Sequence, residues 1–250
     1  MAKNDAPPLH TGPLGRDYFM RGHPLTALQI RMSIKARRKM FSIWKTIVGN
    51  AHGARIIDFG CTPDTERADS NCMLSWFNNE QAVVTLYSPE EISHLTTHFP
   101  FATVLPISAP ESNCIPAIDR SFDWVSSSAV FEHVGGHLGQ LEHLRECARV
   151  ANGIFLTTPN RWHWLEFHTK VPFIHWLPRG IHRKILRALG QDLWAEKSHL
   201  HLTSRKDLSQ IADEVLKSHF TYSIHSVWSL GMPSNLVLIA RRLEQAPKPS

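Results

Sequence analysis

Apolar side chains recur at helical spacing from residue 25 to about residue 48, at Leu28, Met32, Phe41, Trp44 and Val48, and this predicts an amphipathic helix. Its polar positions are cationic: Arg31, Lys35, Arg37, Arg38, Lys39 and Lys45 stand among the apolar ones with no acid between them. The pattern then changes to short apolar runs. Ala54-Arg-Ile-Ile-Asp-Phe-Gly60 predicts a buried strand ending in a glycine turn, and 69–77 the helix that follows it. Strands over 82–87, 102–105, 122–127 and 153–158 alternate with helices over 88–97 and 137–150. Such alternation builds a parallel sheet covered on both faces. The helix from 88 carries a start signal: Ser88 as the cap, Pro89 at the first helical position and Glu91 completing an S-x-x-E capping box.

After residue 158 the pattern breaks. Residues 159–201 are dense in Trp (Trp162, Trp164, Trp176, Trp194), in His (His163, His168, His175, His182, His199, His201) and in Pro. A helix over 203–217 follows, then two β-segments over 219–227 and 235–241 joined through Gly231-Met-Pro-Ser. Residues 1–24 hold Pro7, Pro8, Pro13, Pro24 and three glycines and read as a loosely ordered arm. The expected organisation is an arm and basic helix over 1–49, one α/β domain over 50–241 with a substrate cap at 159–202, and a tail over 242–250.

Length and composition narrow the class. With 250 residues, 42% of them hydrophobic, the chain can bury a sizeable core, which argues against disorder, collagen and coiled coil. No run of 18 apolar residues occurs, and the start MAKNDAPPLH lacks a signal-like apolar stretch, so a cytoplasmic protein without a membrane span is expected. Cys61, Cys72, Cys114 and Cys147 are far apart with no C-x-x-C pair. Reduced, mostly buried thiols are expected rather than disulfides or a cysteine zinc site.

Candidate chemistry starts at the first strand. Ile57-Asp-Phe-Gly60 delivers a turn to the carboxyl edge of the sheet, where open α/β sheets bind ligands at a topological switch. Gly60 lets the main chain approach a ligand, and Asp58 puts a carboxylate beside it. Glu90, at the end of the next strand, can accept the two hydroxyls of a ribose or simply serve a helix first turn.

The order of these pieces resembles the class I S-adenosylmethionine-dependent methyltransferases, particularly the small bacterial branch related to the methyltransferase type 11 family. The matching stretches are Ile56-Ile-Asp-Phe-Gly-Cys61, Phe122-Asp-Trp-Val-Ser-Ser-Ser-Ala-Val-Phe-Glu-His133, Thr157-Thr-Pro-Asn-Arg161 and His199-Leu-His-Leu-Thr-Ser204, with the closing β-segments. The resemblance implies a Rossmann-like seven-stranded sheet with helices on both faces, its last strand antiparallel, an N-terminal helix and a lid-like insertion after the fifth strand. It implies S-adenosyl-L-methionine as cofactor, with Gly60, Cys61 and Thr62 along the methionine part, Glu90 on the ribose, Glu111 and Ser112 flanking the adenine, and Ser127 and Ser128 under the sulfonium. One departure stands out. Where the family usually has G-x-G-x-G, this chain has Gly60-Cys-Thr-Pro-Asp64, with a single glycine and a proline that removes an amide donor. The T-P-D turn followed by Ser70-Asn71 reads as a subfamily variant.

Methyl transfer needs a positioned nucleophile and an outlet for its proton. His133, Glu166 and His168 are the candidates for that outlet, each with a packing or lid role as the alternative. Trp162, Trp164, Phe167, Phe173 and Trp176 suit an apolar wall over the cofactor or the core of the cap itself. The pairs His199-x-His201 and His133-x-x-x-His137 lack a further ligand cluster, so no bound metal is expected. No nucleic-acid motif accompanies the basic helix, and no nucleic-acid partner is expected. That helix suits a solvated face, peripheral contact with an anionic membrane, or a cationic entrance for an acidic acceptor. The expected activity is transfer of a methyl group to an oxygen or nitrogen of a small molecule, sugar or glycolipid or natural-product precursor. The alternatives are a catalytically inactive binding protein and a membrane- or nucleic-acid-associated module.

Overall fold

A computed structural model describes residues 26–107, 114–196 and 199–244. In chain order its elements are α1 (Thr26–Val48), β1 (Arg55–Phe59), α2 (Cys72–Asn79), β2 (Val83–Tyr87), α3 (Leu95–His98), β3 (Ala102–Val104), β4 (Phe122–Ser128), α4 (Gly136–Val150) and β5 (Ala151–Pro159). A single 3₁₀ turn (Ile174–Trp176), α5 (Arg179–Ala188) and α6 (Asp192–Ala195) follow in the cap, and α7 (Arg205–Leu216), β6 (Phe220–Ser229) and β7 (Met232–Arg242) close the chain. Among the described residues no helix is long and apolar enough to cross a membrane.

The seven strands form one sheet in the order β3-β2-β1-β4-β5-β7-β6. Pairing is parallel from β3 to β5, and β7 runs antiparallel between β5 and β6. The winding reverses between β1 and β4, so their carboxyl ends open a crevice between the two halves of the sheet. Successive strand residues face opposite ways and each face has its own core. Ile57, Val125, Ile154 and Leu238 pack under α4 and α7, while Ile56, Trp124, Phe155 and Ile239 pack under α1 and α2. Trp44 fixes α1 to the second face, fully buried and edge-on to both Phe77 and Trp124. Gly153 makes room for Trp124: a Cβ there would lie 2.5 Å from the indole ring.

Several elements depart from the sequence pattern for local reasons. The helix expected over 88–97 shrinks to α3, because Ser88 Oγ accepts from the Glu90 amide (3.3 Å) and Glu91 Oε1 from the Ser93 amide (2.8 Å). Both side chains thus close two-residue turns instead of a capping box. The hairpin is tighter than expected. Leu230 and Gly231 turn with φ of 50° and 78°, so Met232 and the residues after it already belong to β7. A real capping box opens α7, where Ser204 Oγ accepts from the Asp207 amide and the Ser204 amide donates to Asp207 Oδ2. All four cysteines are free thiols, but only Cys61 and Cys147 are buried; Cys72 is half-buried and Cys114 exposed.

His143 projects from α4 into the first core, its ring stacked on Phe59 at 4.4 Å and its Nε2 2.9 Å from Ser127 Oγ. Burial pushes this imidazole down to about 3. The unfolded chain therefore binds this proton more readily, and the stability that neutral His143 contributes is lost as pH falls below about 6.5. Asp58 works in the opposite sense: burial pushes its carboxyl up to about 6, which disfavours folding above that pH and relaxes as pH falls. Replacing His143 by Gln isolates the first effect. Urea unfolding should find the wild-type advantage over His143→Gln shrinking by on the order of 3 kcal/mol from pH 7 to pH 4. A gap independent of pH would mean that His143 is not held neutral in the core.

Candidate functional site

The crevice between β1 and β4 deepens into a cavity of about 1200 Å³ at the carboxyl ends of the strands. Gln29, Arg37 and Met40 of α1 close one side, and Phe167, His168 and Trp194 of the cap another.

The floor begins at Gly60, whose amide donates to Tyr87 O at 2.8 Å, and whose φ is +95°. A Cβ here would sit 2.6 Å from Val130 Cγ2, so both the conformation and the space require glycine. The loop beyond it is held by side chains. Asn71, itself left-handed at φ 52°, accepts from the Thr62 amide (3.1 Å) and donates to Thr62 O (2.7 Å). Asp64 Oδ2 accepts from the Arg67 amide and from Ser70 Oγ (2.6 Å), and the His94 imidazole lies 2.8 Å from Pro63 O. The sequence singled out Thr62-Pro-Asp64 and Ser70-Asn71 only as a variant; here they replace the missing glycines with a clamp. Buried Arg67 and Asp69 form a two-pronged ion pair (3.0 and 3.1 Å), and Arg37 reaches Asp69 at 3.4 Å, tying α1 to this loop.

Asp58, Gly60, Cys61, Thr62, Glu90 and Ser128 all line the cavity. The Asp58 carboxyl is raised by burial, offset in part by Ser126 on the adjacent strand, and Glu90 is raised by burial as well. Neither shift has a contribution from Lys or Arg among the described residues. The Cys61 thiol is pushed far up by burial and then by these two acids, so it is an inert wall rather than a nucleophile. Ser127 does not itself line the cavity; its Oγ lies 2.9 Å from Nε2 of His143, which does. Glu111 and Ser112 lie outside the described residues.

At the far end of the cavity β4 and the cap converge. His133 and His168 stand edge-to-face at 5.0 Å, with Trp194 against His168 at 5.0 Å. His133 Nδ1 is 2.6 Å from His199 O, and His168 Nδ1 is 2.5 Å from Glu166 Oε1. Glu166 stands behind His168 and not at the cavity wall; the amides of His168 and Thr169 also donate to it. Burial opposes its ionisation, but the His168 charge and these bonds pull it down to about 2. Burial likewise opposes the His168 cation, and Glu166 and Glu132 together hold its pKa above the ordinary value. Glu132, fully buried, takes a hydrogen bond on Oε2 from Thr158 Oγ1 (3.0 Å) and has Oε1 3.8 Å from His133 Nε2. Burial raises its carboxyl.

Sequence reading assigned no role to Glu132, Trp194 or Asn71. The signal for Glu132 was present as an acid beside His133 just past an apolar strand. Of the expected aromatic wall only Phe167 lines the cavity. Trp164, Phe173 and Trp176 pack on one another instead, and Trp162 points to solvent. His163 is a cap-organising residue with its ring nitrogens 2.8 and 3.3 Å from the carbonyls of Leu165 and Ser229. Of the basic residues on α1 only Arg37 borders the cavity; Lys39 bonds Trp228 O and Lys45 pairs with Glu80.

No family model and no curated protein matches the chain. Solved structures do. The magnesium protoporphyrin IX methyltransferase of Synechocystis PCC 6803, with bound SAH, aligns with a TM-score of 0.56 at 13% identity over 88% of each chain. A cyclopropane-fatty-acyl-phospholipid synthase-like protein of Lactobacillus casei aligns at 0.54 and 13% over 88% of this chain and 94% of that one. An S-adenosylmethionine-dependent methyltransferase of Mesorhizobium loti aligns at 0.52 and 15% over 79% and 95%. At these identities the likeness establishes architecture: the chain has the fold of S-adenosylmethionine-dependent methyltransferases.

Proposed function

We propose that the protein is an S-adenosylmethionine-dependent methyltransferase acting on an oxygen or nitrogen of a small-molecule or sugar acceptor in the cytoplasm. The observation that carries this reading is a buried carboxylate, Asp58, and a half-buried one, Glu90, neither with a cationic partner among the described residues, on either side of a turn that has no room for a Cβ. A ligand with a cationic amino-acid end and a dihydroxylated ribose satisfies both acids in one pose: Asp58 pairs with the cation and Glu90 accepts from the hydroxyls. When bound, S-adenosylmethionine supplies a methyl group on a sulfonium. The bound SAH of the Synechocystis enzyme supports the same occupancy here.

The cavity, at about 1200 Å³, is larger than one ligand needs, since single-ligand pockets are roughly 300–1,000 Å³. That leaves space for an acceptor below the cap, next to His133 and His168. Phe167, Trp194 and Met40 give the cavity apolar walls. With the cofactor bound, its methyl group would pass to the acceptor lone pair while sulfur kept the electron pair of the broken bond, and the Glu132, His133 and His168 edge would be the outlet for the acceptor proton. Glu166 acts as a positioning residue through its bond to His168.

Thermal unfolding checks the reading. S-adenosylmethionine at about 100 times its Kd should stabilise the folded chain by roughly 2.7 kcal/mol. Asp58→Asn should bind about 10- to 100-fold more weakly, the ~1.5–3 kcal/mol of a hydrogen bond to a charged group. Gly60→Ala, whose methyl group would meet Val130, should lose the ligand-induced shift altogether. No shift at millimolar cofactor on folded wild-type protein would contradict the assignment.

A further inference from the structure

We propose that Glu132, His133 and His168 bind one divalent first-row transition-metal cation at the acceptor end of the cavity. The existence of the site stands on its own geometry; its use in methyl transfer rests on the reading above.

Each of the three residues offers one ligand atom, and these atoms lie within 4.8 Å of one another. Closing to metal–ligand lengths of about 2.0–2.2 Å draws them in by up to roughly 1.5 Å, within reach of small side-chain rotations. What lifts the group above a chance cluster is the way each residue is held from behind. A carbonyl oxygen can only accept, so the His199 carbonyl at 2.6 Å fixes the His133 proton on Nδ1 and puts the lone pair of the neutral ring on Nε2. The Glu166 carboxylate at 2.5 Å does the same for His168. Thr158 Oγ1 donates to Glu132 Oε2 and leaves Oε1 directed to the shared point. Ligating imidazoles almost always give their other N–H to a carboxylate or a backbone carbonyl, and both arrangements are present here.

The independent observation that points to a ligand is Glu132 itself. Its side chain is fully buried, and among the described residues Oε1 accepts no hydrogen bond. A carboxylate oxygen out of water and without a donor is costly, and a cation at this point removes that cost. Two imidazoles and one carboxylate suit zinc, manganese, iron(II) or cobalt rather than the all-oxygen preferences of magnesium and calcium. The spacing of histidines along the chain did not reveal the site, because His168 arrives from the cap and Glu132 is not a histidine.

His133 and His168 both line the cavity, so the remaining coordination positions face the acceptor space. An acceptor hydroxyl, alone or with an adjacent oxygen, takes those positions. With the cation held there, Glu132, His133 and His168 serve as its ligands rather than as the proton outlet: the bound hydroxyl passes its proton to bulk solvent, and its lone pair then attacks the methyl carbon while the carbon–sulfur pair leaves with sulfur. The substrate class is thereby narrowed to an oxygen acceptor, with vicinal oxygens favoured because they fill two positions.

The test uses the untagged full-length chain, stripped with a chelator and titrated with Co²⁺ as a spectroscopic probe, with Zn²⁺ stoichiometry measured after dialysis. One equivalent per chain is expected, with visible absorption of bound Co²⁺. His168→Ala and Glu132→Gln should lower Zn²⁺ affinity at least 100-fold, and Glu166→Gln about 10- to 100-fold. His52→Ala, exposed in the turn before β1 and outside the cavity, should leave it unchanged. Thermal melts of each variant separate lost ligation from lost folding, and His168→Ala is decisive if Glu132→Gln fails to fold. No saturable uptake by the wild type, or uptake indifferent to His168→Ala, overturns the site. SAH binding by the stripped protein is measured in parallel. SAH binding without cation uptake defeats the metal site alone, and cation uptake without SAH binding defeats the methyltransferase reading alone.

Discussion

A carboxylate held out of water at the edge of the sheet is the constraint on which the rest of this site depends. Asp58 sits on β1 in register with Leu86 on one side and Ser126 on the other, at the place where the winding reverses. The flanking strands leave it 8% exposed and supply no cation. A parallel sheet has to bury its central strands, and an acid at the end of the first of them is left with a demand for positive charge that no cation among the described residues meets. Glu90 repeats that demand one strand away, and the crevice between the halves supplies the space.

The unusual turn fits this picture. Glycine-rich turns approach ligands closely because they lack side chains, but they also cost conformational entropy on folding. This chain keeps the one glycine that Val130 makes indispensable and holds the remainder through Asn71, Asp64 and Ser70. Arg67, Asp69 and Arg37 then extend the clamp to α1, so the N-terminal helix serves as a wall of the cavity through its contacts with the turn. The proline that removes an amide donor is compatible with this design, since side chains do the holding.

Much of the fold was legible because its signals are local. Strands buried on both faces show as uninterrupted apolar runs, and their order follows from the helices between them. The errors arose where local chemistry had two outcomes: Ser88 and Glu91 close short turns as readily as they cap a helix, and Leu230 shares its left-handed turn with Gly231. In the site, the residues near Gly60 were legible because they sit at strand ends. Ser127 and Glu166 each stand one residue behind the wall, Ser127 behind His143 and Glu166 behind His168, a layering that sequence spacing does not show. The grouping of Glu132 with His133 and His168 was invisible, since no spacing rule joins the end of β4 to a cap residue.

The central claim is that Asp58 awaits a cation, and proton linkage measures it directly. Its carboxyl, pushed up to about 6 by burial, should ionise when the amino-acid end of S-adenosylmethionine arrives. Calorimetric titration at pH 6 in two buffers of different ionisation enthalpy should therefore register release of roughly half a proton per ligand bound, with the release much reduced in Asp58→Asn. Binding with the same proton exchange in the wild type and in Asp58→Asn, or no binding at all, would contradict the account.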